Sequence, residues 1–271
     1  MSQLNKTLEI PRPSGGSSNK LISYRVANLQ GLGARQRQED AFSFANVLDV
    51  VAMKNRGLLA IVADGMGGMK DGRLASDNAI DVLRTAYNNF DFNKDIFTQM
   101  KQALTSANER VYALLEGEGG STAIMCLFYR SSLYYASVGD SYLILKRGDR
   151  LYHINKKHNV LHQVYDETIR DGEFDPSIAR SDPEKDAVTQ YLGIDELTDI
   201  DGFLRPLPLQ EGDVILVCSD GVAGVLPEGI LLQCLDYDTP EKMTSMLDQH
   251  IIAMNLPYQD NYTALIIKCE Y

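Results

Sequence analysis

The chain has 271 residues with 37 acidic against 26 basic side chains, a net charge of −11, which argues against a general nucleic-acid binder because phosphate backbones call for clustered Lys and Arg. Hydrophobic residues make up 44% and charged residues 23%, the balance of an ordinary globular protein large enough for a sizeable core in one or two domains. No apolar run reaches bilayer length, so no membrane span is expected.

Residues 1–20, MSQLNKTLEIPRPSGGSSNK, lack the apolar stretch of a secretory signal and read as a flexible lead-in, with a single domain expected over 21–271. LISYRVANLQ (21–30), AFSFANVLDVV (41–51) and GLLAIVADG (57–65) are rich in β-branched, aromatic or aliphatic residues and predict strands. From Arg73 the period changes. Ala75, Ala79, Leu83, Ala86 and Phe90, then Phe97, Met100, Leu104, Ala107, Val111 and Leu114, recur at helical spacing and predict two amphipathic helices joined near NNFDFNKD (88–95). Both stripes read as core packing.

After EGEGG (116–120), the segments STAIMCLFY (121–129), SLYYASV (132–138), YLILKR (142–147) and RLYHI (150–154) follow with links too short for helical crossovers, which predicts antiparallel pairing. The Arg-Gly-Asp at 147–149 reads as a hairpin tip rather than an adhesion motif. Residues 156–187 are polar, broken by DGEFDP and RSDPEKD, and read as a mobile flap. EGDVILVCSDG (211–221) predicts a buried strand ending on Asp-Gly, as GLLAIVADG does. PEGILLQCL (227–235) and PEKMTSMLDQHIIAM (240–254) predict helices with Pro in the first turn, and TALIIKCE (263–270) a closing strand. Helices are thus segregated from antiparallel strands, the α+β pattern. Two packed antiparallel β-sheets, each covered outside by a pair of α-helices, would bury these faces as an αββα sandwich.

Cys126, Cys218 and Cys269 sit in apolar runs, and with Cys234 they form no close pair. Neither a zinc knuckle nor a disulfide framework is suggested, and reduced thiols in a cytoplasmic protein are expected. His158 and His162 stand at i,i+4 spacing without a third ligand, so a packing or surface role is expected of them.

Five acidic positions end strands: Glu39-Asp40 before AFSF, Asp64 after LLAIVA, Asp140 in VGDSY, Asp220 after VILVCS, and Asp260-Asn261 before YTALII. One such Asp is ordinarily a turn former, and Gly65, Gly67 and Gly68 would supply the positive φ of a turn behind Asp64. Five of them along one rim of a sandwich suggest hard divalent cations, which take oxygen ligands. His and Cys are absent from these stretches, favouring Mg²⁺ or Mn²⁺ over zinc. Two such cations clamp a phosphoryl group for attack by water, and Arg35 is placed to hold phosphate oxygens.

At this point the chain resembles the type 2C protein phosphatases, the PPM family of metal-dependent Ser/Thr phosphatases. The stretches ARQRQEDA (34–41), ADGMGGMKDGRLAS (63–76), GGSTAI (119–124), VGDSYLIL (138–145), YLG (191–193), GDVILVCSDGV (212–222) and DNYTALII (260–267) run in family order. The Asp-Gly-Met-Gly-Gly form resembles the bacterial branch. The resemblance implies that Asp64 bridges two Mg²⁺ or Mn²⁺ ions and that the Gly65 carbonyl binds one of them. Asp220 and Asp260 would complete the first ion and Glu39 the second. Asp40 would orient the attacking water that the ions share, and Arg35 would hold the substrate phosphate. A phosphorylated protein is the implied substrate, with a cognate bacterial Ser/Thr kinase as the activity opposed.

Four positions depart from the family pattern. Tyr142 stands where Arg is frequent, Lys157 where Asp precedes the His, and Met66 where animal members carry a His. Gly224 replaces an Asp that, with the position of Asp140, helps hold a weaker third ion, so Asp140 is expected to support a weak third site at most. The competing reading is a catalytically weak module of the same fold that binds a kinase or phosphoprotein. A phosphatase of small phosphate esters is a further one. The retention of Asp64, Asp220, Asp260 and Arg35 favours the enzyme.

Overall fold

The computed structural model describes residues 22–66, 71–172 and 176–271. The lead-in 1–20, Gly67 and Gly68, and residues 173–175 of the flap lie outside the described residues. In chain order come β1 (Ser23–Gly31), β2 (Asp40–Ala45), α1 (Val50–Arg56), β3 (Leu58–Asp64), α2 (Gly72–Asn88) and α3 (Ile96–Leu115). Then follow β4 (Ala123–Tyr129), β5 (Ser132–Val138), β6 (Tyr142–Arg147), β7 (Arg150–His153), α4 (Val160–Asp171) and α5 (Pro176–Ser181). The chain continues through β8 (Asp201–Gly202), β9 (Leu207–Pro208), β10 (Val214–Cys218), α6 (Asp220–Ala223), α7 (Glu228–Cys234), α8 (Pro240–Met254) and β11 (Tyr262–Glu270).

The strands form two antiparallel sheets, one in the order β1-β11-β10-β6-β7 and the other β2-β3-β4-β5-β8, with β9 also pairing β5. The continuous apolar runs are explained by burial on both faces. In β3, Leu59, Ile61 and Ala63 face the layer of α2 and α3, while Leu58, Ala60 and Val62 face the other sheet. In β10, Ile215 and Val217 face that same inter-sheet layer, and Val214, Leu216 and Cys218 face α7 and α8. Strand period two therefore divides each run between two cores, and the expected αββα sandwich is what forms. Asp71 and Asp95 cap α2 and α3 by accepting from Leu74 N and Thr98 N. Thr239 caps α8 with Pro240 in its first turn.

Three local expectations are corrected. The strand predicted to Val51 stops at Ala45, because Asn46 turns the chain at φ 68° and Asp49 caps α1 by accepting from Ala52 N. The valines of α1 are exposed, so their β-branched character reflected no buried sheet face. Second, β5 and β6 do not pair with each other. β4–β5 and β6–β7 are hairpins in different sheets, and Gly139 carries the chain across at φ 101°. A Cβ there would stand 2.6 Å from Thr122 Cβ. Third, the irregular reading of 156–187 gives way to α4 and α5, the former capped by Asn159, which accepts from His162 N.

The Arg-Gly-Asp does sit at the β6–β7 turn, but Arg147 is buried. Its Nε and Nη2 donate to Asp213 Oδ1 and Oδ2 at 2.8 and 2.6 Å. All four cysteines are free and buried.

Candidate active site

The two sheets bring their strand ends to one rim. Asp40 and Asp64 are direct register partners on β2 and β3, so both carboxylates leave the same end of one sheet. The other sheet delivers Ser219-Asp220 at the end of β10 and Asp260-Asn261 just ahead of β11.

Two clasps join these ends. Ser219 donates its hydroxyl to Asp40 Oδ2 at 2.8 Å and accepts from Thr263 N at 3.0 Å. Asn261 Oδ1 accepts from Glu39 N at 2.8 Å, while its Nδ2 donates to Leu32 O at 2.9 Å. Asp64 is fixed through its backbone: its N–H donates to Thr122 Oγ1, and its carbonyl accepts from Thr122 N and from the Ser121 hydroxyl. Ser219, Asn261, Ser121 and Thr122 therefore position the acidic side chains, although the sequence assigns this role to none of them and names Asn261 only as the neighbour of Asp260. The available signal was their place inside the motifs, small polar residues beside buried apolar runs.

Gly65 serves close approach rather than a left-handed turn, since it has no positive φ. Its N–H donates to Glu39 O at 3.2 Å, and a Cβ would lie 2.1 Å from Gly72 O and 2.6 Å from Glu39 O. At Gly221 a Cβ would meet Asn261 O at 2.0 Å. Backbone carbonyls and carboxylates are thus crowded together with no side chain between.

The carboxylates repel one another. Burial, followed by the charges of Asp40, Asp220 and Asp140, holds the Asp64 carboxyl well above the usual range. Burial, then Asp140, Asp260 and Asp40, pushes Asp220 up to about 7. Burial also raises Asp40, against the hydrogen bonds from Thr263 and Ser219, and raises Asp140, against the nearby Lys157 ammonium. Among the described residues, Asp40 Oδ1 and Asp220 Oδ1 are buried acceptors with no hydrogen-bond donor. Buried oxygens left in this state require protons or cations.

As they stand, no three His, Cys, Asp or Glu side chains among the described residues close on a single point as a ready-made cage. The orphan oxygens and the all-oxygen donor set nevertheless fit hard cations such as Mg²⁺ or Mn²⁺. Glu39 contributes its backbone to the rim, where its carbonyl also accepts from the Ser76 hydroxyl at 2.6 Å. Arg35 reaches the rim too, with Nη2 2.7 Å from Asp260 Oδ2. Asp140 lies in the link between β5 and β6. Of the histidines, His158 is buried and packs by accepting from Gly139 N at 3.1 Å through Nδ1. His162 sits on α4.

The profile of the protein phosphatase 2C family matches residues 25–170, more than half of the chain. The serine/threonine phosphatase Stp of Listeria innocua is 27% identical over 224 residues, covering 79% of this chain and 86% of that protein. The crystal structure of the Mycobacterium tuberculosis serine/threonine phosphatase PstP superposes with a TM-score of 0.74 at 24% identity, covering 93% of this chain and 100% of that one. A PstP catalytic domain in complex with two manganese ions gives a TM-score of 0.71 at 23% identity over 93% of this chain and 100% of its own; at these identities the likeness is one of fold. The chain belongs to the protein phosphatase 2C family. It is an enzyme of the protein serine/threonine phosphatase class, of bacterial type.

Proposed function

We propose that this phosphatase uses two Mg²⁺ or Mn²⁺ ions to hydrolyse phosphoserine and phosphothreonine on proteins, opposing a Ser/Thr kinase of the same bacterial cytoplasm, and that residues 21–271 act as one phosphatase domain. The observation that carries this reading is the Asp40–Asp64 register pair clasped to Ser219-Asp220 from the other sheet, with two buried acceptor oxygens left without donors among the described residues. Asp64, the Gly65 carbonyl and Glu39 would hold one ion, and Asp64, Asp220 and Asp260 the other. Bound there, the ions would neutralise the cluster and would supply the acidity that makes a water nucleophilic toward phosphorus near neutral pH.

The chain's own residues do the rest. Asp40 is anchored on Ser219 through one oxygen, leaving the other to accept a hydrogen bond from the attacking water and align it. Arg35 binds the phosphate oxygens by exchanging its partner Asp260 for the substrate. The helices α4 and α5 form the flap at 156–187 that contacts the protein substrate, since loops and caps beside a rigid site set specificity.

The test is hydrolysis of phosphoserine and phosphothreonine peptides with Mn²⁺ and with excess chelator, for the parent and for Asp64→Asn. Asp64→Asn keeps the size and removes the charge, so turnover falls by about two orders of magnitude or more, and calorimetry shows weakened Mn²⁺ binding. Activity that survives full chelation would overturn the proposal. An inactive parent with intact Mn²⁺ binding would point to the binding-module reading instead.

A further inference from the structure

The rim holds a basic residue besides Arg35 and Arg73, whose Nη1 donates to Asp40 O at 2.9 Å. Lys157 Nζ lies 3.3 Å from the centroid of the Tyr142 ring, a face-on cation–π contact. The backbone that carries it is tied along the β5–β6 link. Ile154 N donates to Leu143 O, and Asn155 Oδ1 accepts from Leu143 N while its Nδ2 donates to Ser141 O. His158 N donates to Gly139 O at 2.9 Å, and Gly139 N returns to His158 Nδ1 at 3.1 Å. Lys157 is therefore held beside Asp140 and Tyr142 by hydrogen bonds on both sides of it.

Its ammonium makes no ion pair within 4 Å among the described residues. Instead it lies in the combined field of Asp140, Asp220 and Asp186, and Asp140 and Asp220 respond to it in turn. A Lys removed from water costs free energy unless anions or a ring face compensate, and here both do. Beyond Asp220 the chain runs Gly221-Val222-Ala223-Gly224 and brings no further acid until Glu228. On this side of the site, then, a cation is already built in among the carboxylates.

We infer that Lys157, seated on Tyr142, is the resident cation of the Asp140–Asp220 side and a positioning residue that closes this side to a divalent ion. The inference rests on the proposed two-metal reading and states where that reading stops: two ions, with the place beside Asp140 taken by an ammonium. A fixed positive charge repels an incoming cation and competes for the carboxylates it would need. The arrangement also explains the concurrence of Lys157 and Tyr142, since the ring supplies the seat that the ammonium requires.

The experiment counts Mn²⁺ bound at equilibrium, by calorimetry and by metal analysis after dialysis, for the full chain. The parent is expected to bind two ions. Lys157→Met keeps the stem and removes the charge, so a third ion binds at least tenfold more tightly than any third event in the parent. Asp140→Asn added to Lys157→Met abolishes that third ion. Lys157→Arg keeps the count at two, which a merely structural role for the side chain would not predict. Where Lys157→Met fails to fold, Tyr142→Leu unseats the ammonium without deleting it and is expected to admit the third ion at higher Mn²⁺. A count of two in folded Lys157→Met, or a third ion bound by Asp140 in the parent, overturns the inference and leaves the two-metal reading standing. A count of zero in the parent overturns both.

Discussion

Arg35 Nη2 stands 2.7 Å from Asp260 Oδ2, and the second Asp260 oxygen accepts from Asn261 N at 2.8 Å, so both oxygens of this rim carboxylate are engaged. The two side chains are 47% and 44% exposed, which makes their pairing cheap to exchange, as exposed ion pairs contribute about 0–1 kcal/mol. Arg35→Ala is therefore expected to leave the melting temperature nearly unchanged and to raise KM for a phosphopeptide about tenfold or more. Arg35→Lys should recover part of the loss, because a single ammonium lacks the planar fork. An unchanged KM in Arg35→Ala would exclude the phosphate-holding role.

Ser219 links the sheets through Asp40, and its removal takes a donor from Asp40 Oδ2 and an acceptor from Thr263 N at once. Ser219→Ala is expected to cost about 1–3 kcal/mol of stability, the scale of an unsatisfied buried polar group. It should also lower turnover at saturating Mn²⁺ by about 10–100-fold, as loss of a supporting hydrogen bond to a metal-site carboxylate does. Urea denaturation and kcat measured on the same preparation check both. Full activity would show that Asp40 needs no such anchor.

The raised carboxyls of Asp64 and Asp220 give the metal-free protein a defined pH response. A carboxyl raised in the folded state binds more protons folded than unfolded between its two pKa values, so stability falls as pH rises through that interval. For Asp220 the interval runs from the usual carboxylate range up to about 7. Chelated protein is thus expected to melt at lower temperature at pH 7.5 than at pH 5. The gain in melting temperature on adding Mn²⁺ should grow over the same span, because the ions bind the deprotonated carboxylates. A chelated protein that becomes more stable from pH 5 to 7.5 would contradict the clustering.

Arg147 and Asp213 form a buried two-pronged pair away from the rim, and Arg147 Nη2 also donates to Pro208 O at 2.9 Å. Arg147→Ala leaves Asp213 charged and buried, at a cost of about 3–5 kcal/mol. The folded fraction is expected to keep its Mn²⁺ stoichiometry and KM. Thermal unfolding beside a metal titration separates the two effects, and a changed stoichiometry would tie this pair to the site.

The layers were legible from apolar runs such as LLAIVA and VILVC because each strand divides its residues between two cores. The acidic rim was legible because each carboxylate interrupts or precedes such a run. Other features have no local signature. The link at 139–141 is short enough for a hairpin, and only the positive φ of Gly139 and its contact with Thr122 send β6 into the other sheet. Val50 and Val51 look like strand residues, yet Asp49 starts a helix that buries none of its residues. Ser219 and Asn261 acquire their roles from partners nearly 180 and more than 220 positions away, a separation that no sequence window spans. Gly65 resembles a turn glycine in sequence, whereas its reason is the approach of Gly72 and Glu39 backbone.

The placement of β1 also bears on the order of events as the chain emerges from the ribosome. β1 has one strand neighbour, β11, and Ser23 pairs with Glu270 at the far end of the ladder. Closing so long a loop is a late step in folding, and until it happens β1 and one edge of β10 wait for residues 262–270. Asp40 and Asp64 lie on neighbouring strands joined through α1, but Thr263 and Asn261, on which the clasps depend, follow much later in the chain. A nascent chain therefore carries its acidic side chains before β11 is in place, and the clasps that hold them, through Asn261 and Thr263, close only with that strand.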